Sequence, residues 1–104
     1  MLLTSLGRHQ TTYAGFGDCF LVKFNTNGVR QWGTYYGGVS DDRSPSITTD
    51  GAGNVYLAAY TRSANNIASP GSHKEIFSGF YGESFMAKFD STGIRLWGTY
   101  FGAI

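Results

Sequence analysis

Two matched groups of aromatic side chains, Trp32, Tyr35 and Tyr36 and then Trp97, Tyr100 and Phe101, stand out as groups that could do chemistry. Flat aromatic faces stack on sugar rings and on cations. The two groups are nevertheless one text met twice, and aromatics that return at a fixed interval are expected to pack unit against unit. Asp41, Asp42 and Asp50 carry the oxygen ligands a hard cation takes, but no D-x-D-x-D-G run closing on a Glu frames them, so turn-forming hydrogen bonds are the expectation. His9 and His73 fall at matching positions, each without a Cys or second His nearby, which favours a loop hydrogen bond over metal ligation. Cys19 lacks the base and orienting acid a nucleophile needs, and no G-x-S-x-G elbow is present. Lys23 and Lys88 each precede a repeated Phe and are expected to lay their stems over a sheet with the ammonium at its rim. No catalytic, cofactor-binding or metal residue is therefore assigned, no cofactor is expected, and the chain is expected not to be an enzyme.

The organising feature is an internal repeat. Residues 17–37 and 82–102 match at a shift of 65 positions, pairing Phe20 with Phe85, Lys23-Phe24 with Lys88-Phe89, Gly28 with Gly93, Arg30 with Arg95, Trp32 with Trp97 and Gly33-Thr34-Tyr35 with Gly98-Thr99-Tyr100. Upstream, Gly7 to Phe16 resembles Gly71 to Phe80 at a shift of 64, which places Met1 inside a unit. A period of this size marks a repeat architecture whose units stack to bury their apolar faces, and the chain holds about one and a half of them. A fragment of a longer chain, or a subunit completed by others, is the expectation.

Composition agrees with short strands and tight turns: 15 Gly, only two Pro, and 16% aromatic residues. A net charge of +1, with eight Lys and Arg scattered singly among seven Asp and Glu, offers no basic stripe for nucleic acid. The longest apolar run, Val55 to Tyr60, is far short of the roughly 20 residues that cross a bilayer as a helix, and Met1 to Gln10 has neither the basic start nor the apolar stretch of a signal peptide.

In chain order, Cys19 to Phe24 alternates with period two and carries apolar residues at both parities, predicting a strand buried on both faces. Asn25-Thr26-Asn27-Gly28 turns it back into a strand over Val29 to Tyr36, as Asp90-Ser91-Thr92-Gly93 does in the second copy. Gly37 to Pro45 has turn composition and is predicted as a surface connection. Ser46 to Asp50 and Val55 to Thr61 form a second hairpin around Gly51 to Asn54, Arg62 to Tyr81 is a long connection of the kind that often carries function, and Glu83 to Phe101 is the third hairpin. No segment has helix caps or a 3.6-residue apolar stripe, so the fold class is all-β.

Four short strands in two hairpins per period, apolar on both faces, are the content of one blade of a β-propeller. Asp18-Cys-Phe-Leu-Val-Lys-Phe-Asn, Gly28-Val-Arg-Gln-Trp-Gly-Thr-Tyr-Tyr-Gly-Gly38, Asp50-Gly-Ala-Gly-Asn-Val-Tyr-Leu and Tyr60-Thr-Arg-Ser63 resemble the SBBP repeat, a β-propeller repeat of large bacterial surface and secreted proteins. The sequence departs from the usual pattern at Ala59, Cys19 and Ala103. The resemblance implies that 1–36 is the C-terminal part of one blade and 37–104 the next, with inner strands 46–50 and 55–61, loop 62–81 and outer strands 83–101. It also implies an extracellular or cell-surface setting, neighbouring blades in the same or a symmetry-related chain as partners, and a protein or glycan ligand, without nucleic acid or membrane insertion. A scaffold or interaction module is the first expectation; a lectin-like subunit that self-assembles into a closed propeller, and part of an enzyme whose catalytic residues lie outside this chain, are the alternatives.

Overall fold

One turn, used three times, sets the hairpins. Asn25, Asp50 and Asp90 each accept, on the carbonyl oxygen, the amide of the Gly three residues on, at 3.0–3.2 Å. Each also accepts, on one side-chain oxygen, the amides two and four residues on, at 2.9–3.0 Å. The third residue after each is Gly28, Gly53 or Gly93, with φ of 79°, 85° and 93°, the left-handed region that a side chain disfavours. A short polar side chain that mimics a backbone acceptor, followed by a glycine, thus fixes strand pairing on both sides.

The computed structural model describes residues 18–38, 40, 42–78 and 82–102. Six strands follow in order: β1 (Cys19–Phe24), β2 (Arg30–Tyr36), β3 (Asp42–Thr49), β4 (Val55–Thr61), β5 (Glu83–Phe89) and β6 (Arg95–Phe101). All pairings are antiparallel, and the described residues contain no helix. β1 and β2 form a two-stranded sheet; β3-β4-β5-β6 form a four-stranded meander. The repeat extends to irregularities: the register shifts between Lys23 and Phe24 in the first sheet and between Lys88 and Phe89 in the second.

β3 begins at Asp42, so the segment before Ser46 that has turn composition is strand, and Asp42 is buried rather than on a surface connection. The reason is its position. β3 is an edge strand, and Pro45 falls where the register shifts between Arg43 and Ser46, so its missing N–H costs no ladder bond.

The core lies between the two sheets. One face of the four-stranded sheet presents Val55, Leu57 and Ala59 from β4 and Phe85, Ala87 and Phe89 from β5, all buried. Against it the two-stranded sheet sets Cys19, Leu21, Trp32 and Tyr36. On the other face of each sheet large apolar side chains are exposed: Phe20 and Phe24 at 53% and 56%, and Met86 and Phe101 at 41% and 64%. The expected burial on both faces therefore holds for one face of each sheet.

Candidate functional site

The seam between the sheets is built by aromatic side chains at alternate strand positions. Trp32 stacks on Phe89, ring centroids 6.4 Å apart, and Tyr36 stacks on Phe85 at 5.2 Å while meeting Phe89 edge-on at 5.8 Å. Such pairs add about 0.5–1.5 kcal/mol each beyond the area they bury. Polar groups fix the register of the seam. Trp32 Nε1 and Lys23 Nζ both donate to the carbonyl of Ser91, at 3.0 and 3.3 Å, tying β1 and β2 to the turn between β5 and β6. The Tyr36 hydroxyl donates to the Ile67 carbonyl and accepts from Arg95 Nη1 at 3.0 Å, with the guanidinium 5.9 Å from the ring centre. Burial pushes the Tyr36 phenol above its ordinary pKa, and the neighbouring guanidinium only partly offsets this, so it stays protonated and able to donate. Gly98 leaves room for this arrangement: a Cβ there would lie 2.3 Å from the Tyr36 hydroxyl and 2.4 Å from the Ile67 carbonyl.

A second, polar centre lies at the end of the seam where the chain crosses from β2 to β3. Asp42 accepts from the Thr61 hydroxyl at 2.5 Å, from the Ser63 hydroxyl at 3.1 Å and from the Gly38 amide at 3.1 Å. Burial raises its pKa, against the lowering effect of these hydrogen bonds, and Asp18 adds to the rise. Gly37 lies between the two acids, where a Cβ would come 2.4 Å from Asp42 and 2.7 Å from Asp18. Beside them the Cys19 thiol is pushed up to about 12 by burial and by the fields of Asp42 and Asp18. A thiol held this firmly protonated is a poor nucleophile.

The carboxylates singled out as cation ligands are not brought together. Asp42 and Asp50 sit at opposite ends of β3, on the order of 25 Å apart at the rise of a strand. The Asp50 carboxylate binds its own turn, taking the Asn54 side chain and the Tyr56 hydroxyl at 3.0 and 3.2 Å, and these bonds hold its pKa below the ordinary value. Asp41 and His9 lie outside the described residues, as do Gly7 to Phe16 and Gly79 to Tyr81 of the segments compared upstream of each hairpin. Among the described residues no group of three His, Cys, Asp or Glu could hold a metal ion. His73 is exposed on the long connection, its ring 6.0 Å from that of Phe101.

The aromatic groups divide between two environments. Trp32 and Tyr36 are wholly inside the seam and Tyr100 is buried, its hydroxyl donating to the Ser63 carbonyl at 2.7 Å. Trp97 is half-buried and lines a hollow of about 420 Å³ with Ser69, Pro70, His73 and Leu96. Lys23 reaches across to the next sheet, whereas Lys88 sits 5.3 Å over the Tyr56 ring.

Residues 31–68, from β2 through β3 and β4 into the long connection, match the family model of the SBBP β-propeller repeat. Over these 38 residues the chain is similar to the SBBP repeat. The matched segment starts in β2 of the two-stranded sheet and continues through β3 and β4 of the four-stranded sheet, so it spans both sides of the seam. No curated protein matches the chain. A β-propeller repeat implies neighbouring blades. What the sequence did not reveal are the Asp42 centre and the Tyr36–Ile67–Arg95 junction. Apart from Gly38, their partners lie 19 to 31 residues away along the chain or in the opposite sheet, and no local spacing announces them.

Proposed function

We propose that the chain is a non-enzymatic scaffold module of a longer exported bacterial protein, carrying blade-to-blade packing from one SBBP unit to the next and presenting its long connection, residues 62–78 of it described, as an interaction surface. The observation that carries this is the seam itself. Each of its principal groups recurs 65 positions on: Trp97 stands for Trp32, Lys88 for Lys23, Met86 for Leu21 and Phe101 for Tyr36. The repeat therefore keeps Trp and Lys at two of these positions and a large apolar or aromatic side chain at the other two, as expected where stability is a sum of units and nearest-neighbour interfaces.

Non-catalytic action is supported by the state of the reactive side chains. The Cys19 thiol is inside the seam and strongly protonated, and the Asp42 carboxylate is occupied by hydroxyl and amide donors. The direct test is to lengthen the chain by a further copy of residues 38–102 joined after Gly102 and to follow urea unfolding. The expected result is a higher midpoint together with loss of solvent access at Trp97, read by fluorescence quenching. An unchanged midpoint with Trp97 still accessible overturns the proposal.

A further inference from the structure

An Asn or Asp is followed directly by glycine at two places, Asn27-Gly28 and Asp50-Gly51, and both lie in hairpin turns. Glycine leaves the backbone nitrogen after such a side chain unshielded, so that nitrogen can close a five-membered imide on the side-chain carbonyl carbon. The two places differ in what holds the side chain. Asp50 commits both carboxylate oxygens to its own turn: Oδ1 takes the amides of Ala52 and Asn54 at 2.9 and 3.0 Å, and Oδ2 takes the Asn54 side chain and the Tyr56 hydroxyl at 3.0 and 3.2 Å. These bonds favour the ionised form, which offers no leaving group. In the first turn that part falls to Asn25, whose Oδ1 takes the amides of Asn27 and Val29 at 2.9 and 3.0 Å. Asn27 is thereby left exposed, with a side chain that makes no hydrogen bond among the described residues. Nothing lies within 4 Å of a Cβ added to Gly28, so the nitrogen beside it is unhindered as well. The remaining asparagines precede bulkier residues: Asn25 precedes Thr26, Asn54 precedes Val55, Asn65 precedes Asn66 and Asn66 precedes Ile67.

We infer that Asn27 is a modification site at which the folded chain deamidates itself through an imide with Gly28. The Gly28 nitrogen bonds to Asn27 Cγ and gives up its proton to solvent, the Cγ–Nδ2 bond breaks, and Nδ2 takes up a proton and leaves as ammonia. Water then opens the imide at either carbonyl, giving aspartate or, by attack at the Asn27 backbone carbonyl, isoaspartate. One hydrogen bond of the fold opposes the first step: the Gly28 amide donates to the Asn25 carbonyl at 3.0 Å and must be released. A single exposed backbone hydrogen bond has a small net strength, so its release slows the reaction by about tenfold at most. The position stays accessible when sheets pack. Its counterpart Thr92 is exposed even though the adjoining Ser91 carbonyl is engaged across the seam by Trp32 and Lys23, so the site does not depend on the scaffold reading. Thr92-Gly93 has no amide to lose, and the reaction therefore distinguishes the two copies of the outer hairpin. Either product puts a negative charge on the Asn25 to Gly28 turn, which carries none. Isoaspartate also adds a methylene to the backbone of that turn, between residues whose bond from the Asn25 amide to the Val29 carbonyl, at 2.9 Å, closes β1 onto β2.

The test is to hold the intact chain in warm, mildly alkaline buffer and to follow its tryptic peptides by mass spectrometry with isoaspartate detection. The expected result is conversion of the peptide Phe24 to Arg30 into aspartate and isoaspartate forms, within about tenfold of the rate in that peptide incubated alone. Asp50 and the other asparagines are expected to stay unchanged, and urea below the unfolding transition to leave the rate unchanged, because only a turn opens. Asn27→Thr, which installs the residue of the second copy, is expected to abolish the products and keep the circular dichroism of the wild type; if it loses its β-type spectrum, Asn27→Gln takes its place, its longer side chain being unable to close the five-membered ring. An Asn27 that keeps its amide in the intact chain while the free peptide loses it overturns the inference. So does conversion that appears only as urea unfolds the chain, aspartate without isoaspartate, which marks direct hydrolysis, or isoaspartate at Asp50 as fast as at Asn27.

Discussion

At the scale of single residues, two buried side chains carry measurable consequences. Cys19 is 4% exposed with its thiol pushed up to about 12, so alkylation by iodoacetamide at neutral pH is expected to occur only through unfolding. Its rate should then follow urea concentration, and fast labelling without denaturant would contradict the burial. Asp42 carries the opposite kind of information. Its native pKa lies above the unfolded value near 4, so its contribution to stability is full below that pH and is lost as pH rises through the raised native value. Comparing urea midpoints of wild type and Asp42→Asn across pH should show the wild type's relative advantage falling from about pH 4 upward and then levelling, with the asparagine variant lacking that component. A difference that rises with pH would mean that the hydrogen bonds from Thr61, Ser63 and Gly38 outweigh burial. Of these two sites, Cys19 was legible in the sequence only as a thiol without the base and orienting acid a nucleophile needs. Asp42 was hidden by its company: Asp-Asp-Arg-Ser-Pro has the composition of a turn, and the hydroxyls that make a buried carboxylate tolerable come from the far end of β4 and beyond.

At the scale of elements, the hairpins were the most legible part because their chemistry is local. An Asx residue followed three positions later by Gly contains every donor and acceptor the turn uses, and all three turns form as their sequences direct. Glycines outside the turns answer to different needs. Nothing lies within 4 Å of a Cβ added to Gly28, so Gly28→Ala should cost only the left-handed strain, about 1–2 kcal/mol. Gly98→Ala keeps an ordinary φ but drives a methyl into Tyr36 and Ile67, and overpacking there is expected to cost about 3 kcal/mol and to expose Trp32 to quenchers. Equal destabilisation by the two changes, in chemical denaturation, would argue against a rigid junction. The start of β3 was less legible than its end, because an edge strand tolerates a proline that a central strand would exclude.

At the scale of the whole molecule, one residue type at matched positions reports on the two sides of a blade. Trp32 is 2% exposed and Trp97 half-buried, so Trp32→Ala should cost about 3–5 kcal/mol at any protein concentration. Trp97→Ala should cost less than half of that, about 1.5 kcal/mol at most. Equal costs would contradict the difference in burial between the two tryptophans. The all-β class and the repeat were plain from the sequence because the period of two within strands and the 65-residue period between them are both visible in it. Which face of each sheet is covered was not, because strands apolar at both parities satisfy either answer until a neighbour is in place.

The hydroxyl of Tyr36 gives the stack a memory of order. It joins Ile67 and Arg95 across the seam, while its counterpart Phe101 has no oxygen to offer the corresponding arginine of a following unit. A junction built on Phe101 would therefore differ from the Tyr36 junction by one hydrogen-bonded oxygen atom, the arginine keeping only a backbone carbonyl like that of Ile67, to which Arg95 also donates at 3.1 Å. Copying a repeat multiplies surfaces that fit one another indiscriminately; a single phenol-to-phenyl difference is enough to number them.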